Sequence, residues 1–235
     1  SVDDYGGYYT GGGERGASLA IDSSDGLHVA FYDFDGRDLH YAYRANGDAT
    51  WTETTNIDTS SSYMATSLSI AVDSSDSPHI AYHDRSSWDL EYARLEGSSW
   101  MKSTLDQTNN VGRYPIIAID QYDQVHIAYE NYSAYDVKSL VIRNGVARSS
   151  TIGQVGSHNY HLGSAVDASG NIHLSYYNGS DTAGSLQYAA QNGATWSVTT
   201  VDDVSTIVGA YSALALDDSG NPHVSYLDST SGYLR

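Results

Sequence analysis

An all-β fold, a five-bladed β-propeller with four antiparallel strands per blade, follows from three observations on the sequence. The first is a repeat. "DSSDGLHVAFYD" begins at Asp22, "DSSDSPHIAYHD" at Asp73, "DQYDQVHIAYEN" at Asp120, "DASGNIHLSYYN" at Asp167 and "DDSGNPHVSYLD" at Asp217. Its histidines, His28, His79, His126, His173 and His223, lie 51, 47, 47 and 50 residues apart, and a period near 47 is that of propeller blades. The second is that no helical periodicity competes with the short alternating runs. The third is a set of small residues, Ala20, Ala71, Ala118, Ala165 and Ala215, at one equivalent position, as innermost strands crowded around an axis require.

Each unit reads as four strands in order. A small-and-apolar first strand, such as "SLAID" (Ser18–Asp22) or "ALALD" (Ala213–Asp217), runs into an Asp-x-Ser-Gly-Asn type of turn, whose glycine supplies positive φ. The second strand is "HLSYYN". The third is "DLHYAY" (Asp38–Tyr43), "DLEYA" (Asp89–Ala93) or "SLQYA" (Ser185–Ala189), and the fourth is typified by "WSVTTV" (Trp196–Val201). Trp51, Trp100 and Trp196 open that fourth strand in three units. Five such units occupy residues 1–235 as one domain. The last stops at "SGYLR", within its third strand, and the N-terminal "SVDD" resembles "TVDD" (Thr200–Asp203), the end of a fourth strand. The termini are therefore expected to meet in an incomplete last blade, whose open edge invites self-association.

Composition narrows the partners. The net charge is −18, from 24 Asp and 5 Glu against 11 Lys and Arg, which disfavours phosphate backbones and anionic lipid; neither nucleic acid nor membrane insertion is expected. No apolar run is long enough to span a bilayer. With no Cys there is neither a disulfide framework nor a thiolate metal site. The 21 Tyr are amphipathic rings suited to sheets with one wet end. A start at Ser1 without a leader is what a mature or trimmed chain shows, and an extracellular, cell-surface or periplasmic location is the expectation.

The run "ALALDDSGNPHVSYLD" resembles the repeat of the NHL-like and sialidase-like propeller superfamily, with first strand, Asp-Ser-Gly-Asn turn and second strand in order. The resemblance covers all five units and implies the propeller fold. It implies no activity, because propellers host many. The units lack the Ser-x-Asp-x-Gly-x-Thr-Trp spacing of true sialidases, and the arginine set with which those enzymes hold a substrate carboxylate is not found.

A site is usually unique, whereas a scaffold residue repeats with the scaffold. The five histidines are read as structural, each bonded to a backbone or Asp partner. Asp22, Asp73, Asp120, Asp167 and Asp217 are read as turn residues; the alternative is a Ca2+ or other cation on the channel axis held by their oxygens, and no other cofactor is expected. The aromatics three residues after each His, Phe31, Tyr82, Tyr129, Tyr176 and Tyr226, are core residues. Asn131 and Asn178 head glycosylation-acceptor triplets.

Function is expected where the repeat breaks, on loops held by a rigid scaffold. The residue four after each His varies: Tyr32, His83, Glu130, Tyr177, Leu227. In the loops that follow, Arg85, Trp88, Tyr132 and Tyr135 stand out, Trp88 being the one Trp out of register with the repeat. The blade-to-blade stretches add Arg15, Tyr63, Arg113, Tyr114, His158, Tyr160, His161 and Tyr211. Aromatic faces with planar polar groups are what a sugar ring needs. The leading reading is a non-catalytic binding or adhesion module for glycan or another extracellular ligand. A second is a glycoside hydrolase or lyase, with Asp33, Asp84, Glu130 and Asp228 as carboxylates and His83 and Tyr177 as proton-transfer groups. A third is a structural subunit of a surface layer or fibre, completed by strand exchange through the last blade.

Overall fold

One aspartate shapes the start of every repeat. Asp22 accepts backbone N–H bonds from Ser24 and Gly26 on its Oδ1, and its own N–H donates to the Gly26 carbonyl, closing the chain on itself. The same pair of bonds recurs at Asp73 with Ser75 and Ser77, at Asp120 with Tyr122 and Gln124, at Asp167 with Ser169 and Asn171, and at Asp217 with Ser219 and Asn221. The fourth turn residue is left-handed: Gly170 and Gly220 in the last two repeats, but Asp25, Asp76 and Asp123 in the first three. Asp is among the few residues that adopt this conformation at modest cost.

The computed structural model describes residues 16–33, 38–58, 67–155, 162–167, 169–180, 182–192, 195–203 and 207–235. The chain forms two compact units, Ser1–Ile117 and Ala118–Arg235. The first contains a sheet of β1 (Ala17–Ile21), β2 (Leu27–Asp33), β3 (Asp38–Arg44) and β4 (Thr52–Asp58). A second sheet follows, of β5 (Leu68–Val72), β6 (Pro78–Asp84), β7 (Asp89–Glu96) and β8 (Ser99–Asp106). The unit boundary falls within β9 (Val111–Ile119), which joins β10 (Val125–Asn131), β11 (Asp136–Arg143) and β12 (Val146–Gln154). The second unit continues with β13 (Gly163–Val166), β14 (Ile172–Gly179), β15 (Gly184–Asn192) and β16 (Thr195–Asp202). It ends with a three-stranded sheet of β17 (Val208–Leu216), β18 (Pro222–Asp228) and β19 (Tyr233–Leu234). Each sheet is an antiparallel meander in chain order, and among the described residues there is no helix. The expected joining of residues 1–4 to the last sheet lies outside the described residues.

The core lies between sheets. Ala30, Leu39, Tyr41 and Ile57 of the first sheet pack with Leu68, Ile70, Ile80, Tyr82 and Ala93 of the second, with Trp100 against them. Two polar ties reinforce this packing. Ser18 Oγ accepts the Ile70 N–H, joining the first strands of neighbouring sheets. The Tyr82 hydroxyl donates to Asp58 at the end of β4, 2.6 Å away, and Lys102 Nζ meets the other Asp58 oxygen at 2.8 Å. In the second unit the Tyr226 hydroxyl donates to Asp202 at the end of β16 in the same way. A buried hydrogen bond to a charged acceptor contributes about 1.5–3 kcal/mol. Burial and the Asp58 charge push the Tyr82 phenol far above its ordinary range. The aromatic three residues after each His is buried at Tyr82, Tyr129 and Tyr176 and half-buried at Phe31 and Tyr226.

The repeated histidines are bound into the turn. Nε2 of His28, His79, His126, His173 and His223 faces Oδ2 of Asp22, Asp73, Asp120, Asp167 and Asp217, six residues back. The other ring nitrogen, Nδ1, bonds a third-strand tyrosine hydroxyl: Tyr41 for His28, Tyr92 for His79 and Tyr188 for His173. Burial opposes ionisation of Asp22, Asp73, Asp120 and Asp167, but the amide and histidine bonds win and hold these carboxyls below their ordinary range. Both oxygens of each aspartate thus serve the turn and its histidine. Among the described residues no three His, Asp or Glu side chains gather as a metal ion would need.

Candidate ligand-binding site

The hairpin between β6 and β7 carries the densest group of unusual side chains. Asp84 pairs across it with Asp89, and Asp84 Oδ1 accepts both the N–H and the hydroxyl of Ser86 at 2.7 Å, fixing the first half of the loop. The corner is Trp88, whose N–H donates to the Asp84 carbonyl at 2.7 Å and whose φ is 66°. A bulky side chain in left-handed backbone costs about 1–2 kcal/mol; a glycine would avoid that cost. The indole is held outward and is 37 % exposed.

The chain returns to this corner at the start of β9. Val111 N–H donates to the Trp88 carbonyl at 3.0 Å. Gly112 then passes so close to the Leu90 backbone, at φ 82°, that no side chain fits there. Tyr114, at φ 48°, donates its N–H to Ser67 Oγ at 2.9 Å. This path delivers Arg113 to Trp88. Its guanidinium lies 5.8 Å from the indole centroid, and that of Arg85 lies 5.7 Å from it, both within cation–π range. Arg113 Nε is steadied by Asn110 Oδ1 at 3.2 Å. Ser87, Trp88, Gln107, Asn109 and Asn110 line an open groove of about 450 Å³ beside the indole.

His83 lies beneath. Its ring centroid is 5.9 Å from that of Trp88, the residue is 1 % exposed, and neither ring nitrogen has a hydrogen-bond partner among the described residues. Burial, then the Arg113 and Arg85 charges, lower its pKa to about 4, so the imidazole is neutral at physiological pH. A buried polar group without a partner costs about 1–3 kcal/mol, so the site holds an unmet demand for hydrogen bonding.

The other sites expected from the sequence fall as follows. Tyr32 packs against the core of the first unit, and Asp33 lies half-buried at the end of β2 with His40 Nε2 4.0 Å away. Glu130, equivalent to His83, is buried. Tyr132 and Tyr135 face each other with centroids 5.8 Å apart, both partly exposed; Tyr135 is the left-handed corner of its hairpin, at φ 55°. Tyr177 is fully buried and donates its hydroxyl to the Ser180 carbonyl at 2.5 Å. Asp228 Oδ1 accepts the Thr230 and Ser231 amides while Oδ2 pairs with Arg235 at 2.8 Å. Arg113, Tyr114 and Tyr211 are strand residues rather than loop residues: the Val-Gly-x-Tyr runs at Val111 and Val208 are drawn into β9 and β17. In β17 a slip in register accommodates the left-handed Gly209 and Tyr211. Arg15, Tyr63, His158, Tyr160 and His161 lie outside the described residues. Sequence reasoning missed Gln107, Asn109 and Asn110; the signal was the polar "DQTNN" just before the Val-Gly pair.

No family model matches this chain, and no curated protein matches it in sequence. Solved structures do match. AofleA from Arthrobotrys oligospora superposes with a TM-score of 0.65 at 12 % identity, over 90 % of this chain and 64 % of its own. The Aleuria aurantia lectin, described as a six-bladed β-propeller with a novel fucose recognition mode, gives 0.61 at 14 % identity, over 91 % of this chain and 70 % of its own. A polysaccharide lyase acting on ulvan, solved with -[GlcA(1-4)Rha3S]- bound, gives 0.61 at 14 % identity, over 96 % of this chain and 66 % of its own. At such identities the likeness is one of fold, and that fold is the β-propeller.

Proposed function

We propose that this chain is a glycan-binding β-propeller of five blades, extracellular, and that the Trp88 corner binds an anionic sugar ring. One observation carries the reading: an exposed indole flanked by two guanidinium groups, above a buried neutral imidazole whose nitrogens have no partner among the described residues. The indole offers a stacking face and the arginines pair with carboxylate or sulfate, over a neutral imidazole closed off from solvent. In a chain of net charge −18 with only 11 Lys and Arg, two arginines at one corner select a negatively charged ligand. That a lectin and a polysaccharide lyase share the fold supports a carbohydrate partner. Calorimetry with uronate-containing and sulfated oligosaccharides, against neutral sugars, tests the proposal. Acidic sugars should bind, and Trp88→Ala should weaken them about two- to tenfold from lost stacking alone. No heat with any acidic sugar at millimolar concentration would overturn it.

A second reading, catalysis, has one observation in its favour. A neutral imidazole beside paired arginines suits proton abstraction next to a neutralised carboxylate. Against a hydrolase, Asp84 and Asp228 are engaged by their own turns. Appearance of an unsaturated, ultraviolet-absorbing product from acidic polysaccharides, lost in His83→Phe, would establish a lyase.

A further inference from the structure

Trp100 and Trp196 open the fourth strands of the second and fourth sheets, but they meet different surroundings. Trp100 packs edge-on to Tyr41 of the preceding sheet, with ring centroids 5.2 Å apart, and its Nε1 is buried. Tyr41, which clasps a repeated histidine, sits opposite Ala30; the matching residue of the third sheet, opposite Ala128, is Ser139. Serine offers Trp196 no ring. Val141, opposite His126, likewise stands where the first sheet has Tyr43 opposite His28. Where these two positions are small, a cleft of about 740 Å³ lies in the second unit, lined by the third sheet on one side and by Trp196 on the other. Pockets for small ligands run from about 300 to 1,000 Å³.

The mouth of the cleft gathers positive charge. Arg148 pairs with Val141 across β11 and β12, and Arg143 pairs with Val146. The two arginines are therefore diagonal neighbours on one face of the sheet, about 7–8 Å apart at the backbone. Both are exposed and both line the cleft. Arg143 Nε donates to the Gln124 side-chain oxygen at 2.6 Å, which steadies the group without neutralising it. Among the described residues neither arginine is in an ion pair, whereas Arg94, Lys102 and Arg235 each meet a carboxylate. Asp120 also lines the cleft, but its oxygens are taken by the Tyr122 and Gln124 amides and by His126. Trp196 adds a half-buried indole, and Ser150 an exposed hydroxyl.

We infer that this cleft is a second binding site for an acidic sugar, whose carboxylate or sulfate pairs with Arg143 and Arg148 and whose ring packs on Trp196. The chain is then bivalent toward acidic glycan. The cleft shares its ligand class with the Trp88 corner but none of its residues, so the two sites stand or fall separately. Calorimetry tests it, together with NMR of the indole N–H signals. The ligands are a uronate-containing and a sulfated disaccharide, with an uncharged disaccharide as control. The proteins are the native chain, Trp88→Ala and the double variant Arg143→Gln/Arg148→Gln. The native chain should bind two acidic sugars, and Trp88→Ala should keep one, whose binding moves the Trp196 signal. The double variant should lose that site at least about tenfold, as hydrogen bonds to a charged group require. Its unfolding midpoint should stay at the native value, because both side chains are exposed. Tighter binding of one disaccharide names the preferred anion, and either preference supports the site. A single site that survives Trp88→Ala and is lost in the double variant supports the cleft and removes the corner. A single site lost in Trp88→Ala overturns the cleft and leaves the corner. Undiminished binding in the double variant, a Trp196 signal that does not move, equal binding of the uncharged sugar, or no acidic-sugar binding at millimolar concentration would each overturn the inference.

Discussion

The second and fourth repeats solve the same hairpin in opposite ways. His83 and Tyr177 occupy equivalent positions, paired with Leu90 and Leu186, and the residue two before those leucines is the left-handed corner Trp88 in one and Gly184, paired in the strands with Gly179, in the other. In the fourth repeat the Tyr177 ring folds over Gly184, where any Cβ would collide with it, and its hydroxyl is met by Ser180. The corner closes on itself. In the second repeat the large residue is on the corner instead, held in left-handed backbone with its face to solvent, and His83 beneath it has no hydrogen-bond partner among the described residues. One frame thus gives a finished turn in one place and a site with unmet needs in another; proteins keep such local costs where function needs them.

This contrast can be broken at three points. Tyr177→Ala should cost the most, about 3–5 kcal/mol, as a fully buried aromatic leaves a cavity. Urea unfolding measures it, and a loss under about 1 kcal/mol would mean the closed corner contributes little. The His83 effect comes next. Its pKa is about 4 when folded against an ordinary 6.5, so between those values the unfolded chain takes a proton that the folded chain refuses. Stability from this group is complete above pH 6.5, falls as pH drops toward 4 and is level below. The total is about 3 kcal/mol. The difference between unfolding curves of the native chain and His83→Phe across that range isolates it; parallel curves would contradict the buried neutral imidazole. The smallest effect is Trp88→Gly. Relief of left-handed strain offsets the lost indole contacts, so stability should change by less than about 1 kcal/mol while acidic-sugar binding falls. A large loss of stability would make Trp88 a core residue instead.

Much of this was legible in the sequence, for physical reasons. Five copies of Asp-x-x-x-x-x-His exposed the turn, because a bond formed six residues apart needs both partners in every copy. Trp88 was visible as the Trp that broke register. The burial of His83 was hidden, since its equivalents Tyr32 and Leu227 in other sheets are only half-buried. The Val-Gly-x-Tyr crossing looked like a loop because its left-handed positions do not resemble a strand. The tie from Tyr82 to Asp58 spans two sheets and leaves no local pattern. Ser139 reads as an ordinary strand serine until its equivalents are known to be clasp tyrosines.

The clasped aspartates also change the meaning of the net charge. Asp22, Asp73, Asp120, Asp167 and Asp217 give their charge to backbone amides and imidazoles, and Asp58, Asp84, Asp202 and Asp228 give theirs to tyrosines, turn groups, a lysine or an arginine. Part of the acidity that makes the chain look like a polyanion therefore holds turns and histidines in place, copied once per repeat. At the Trp88 corner the sign of the local field is set by Arg85 and Arg113, because exposed charges beyond about 8–10 Å are largely screened at physiological salt.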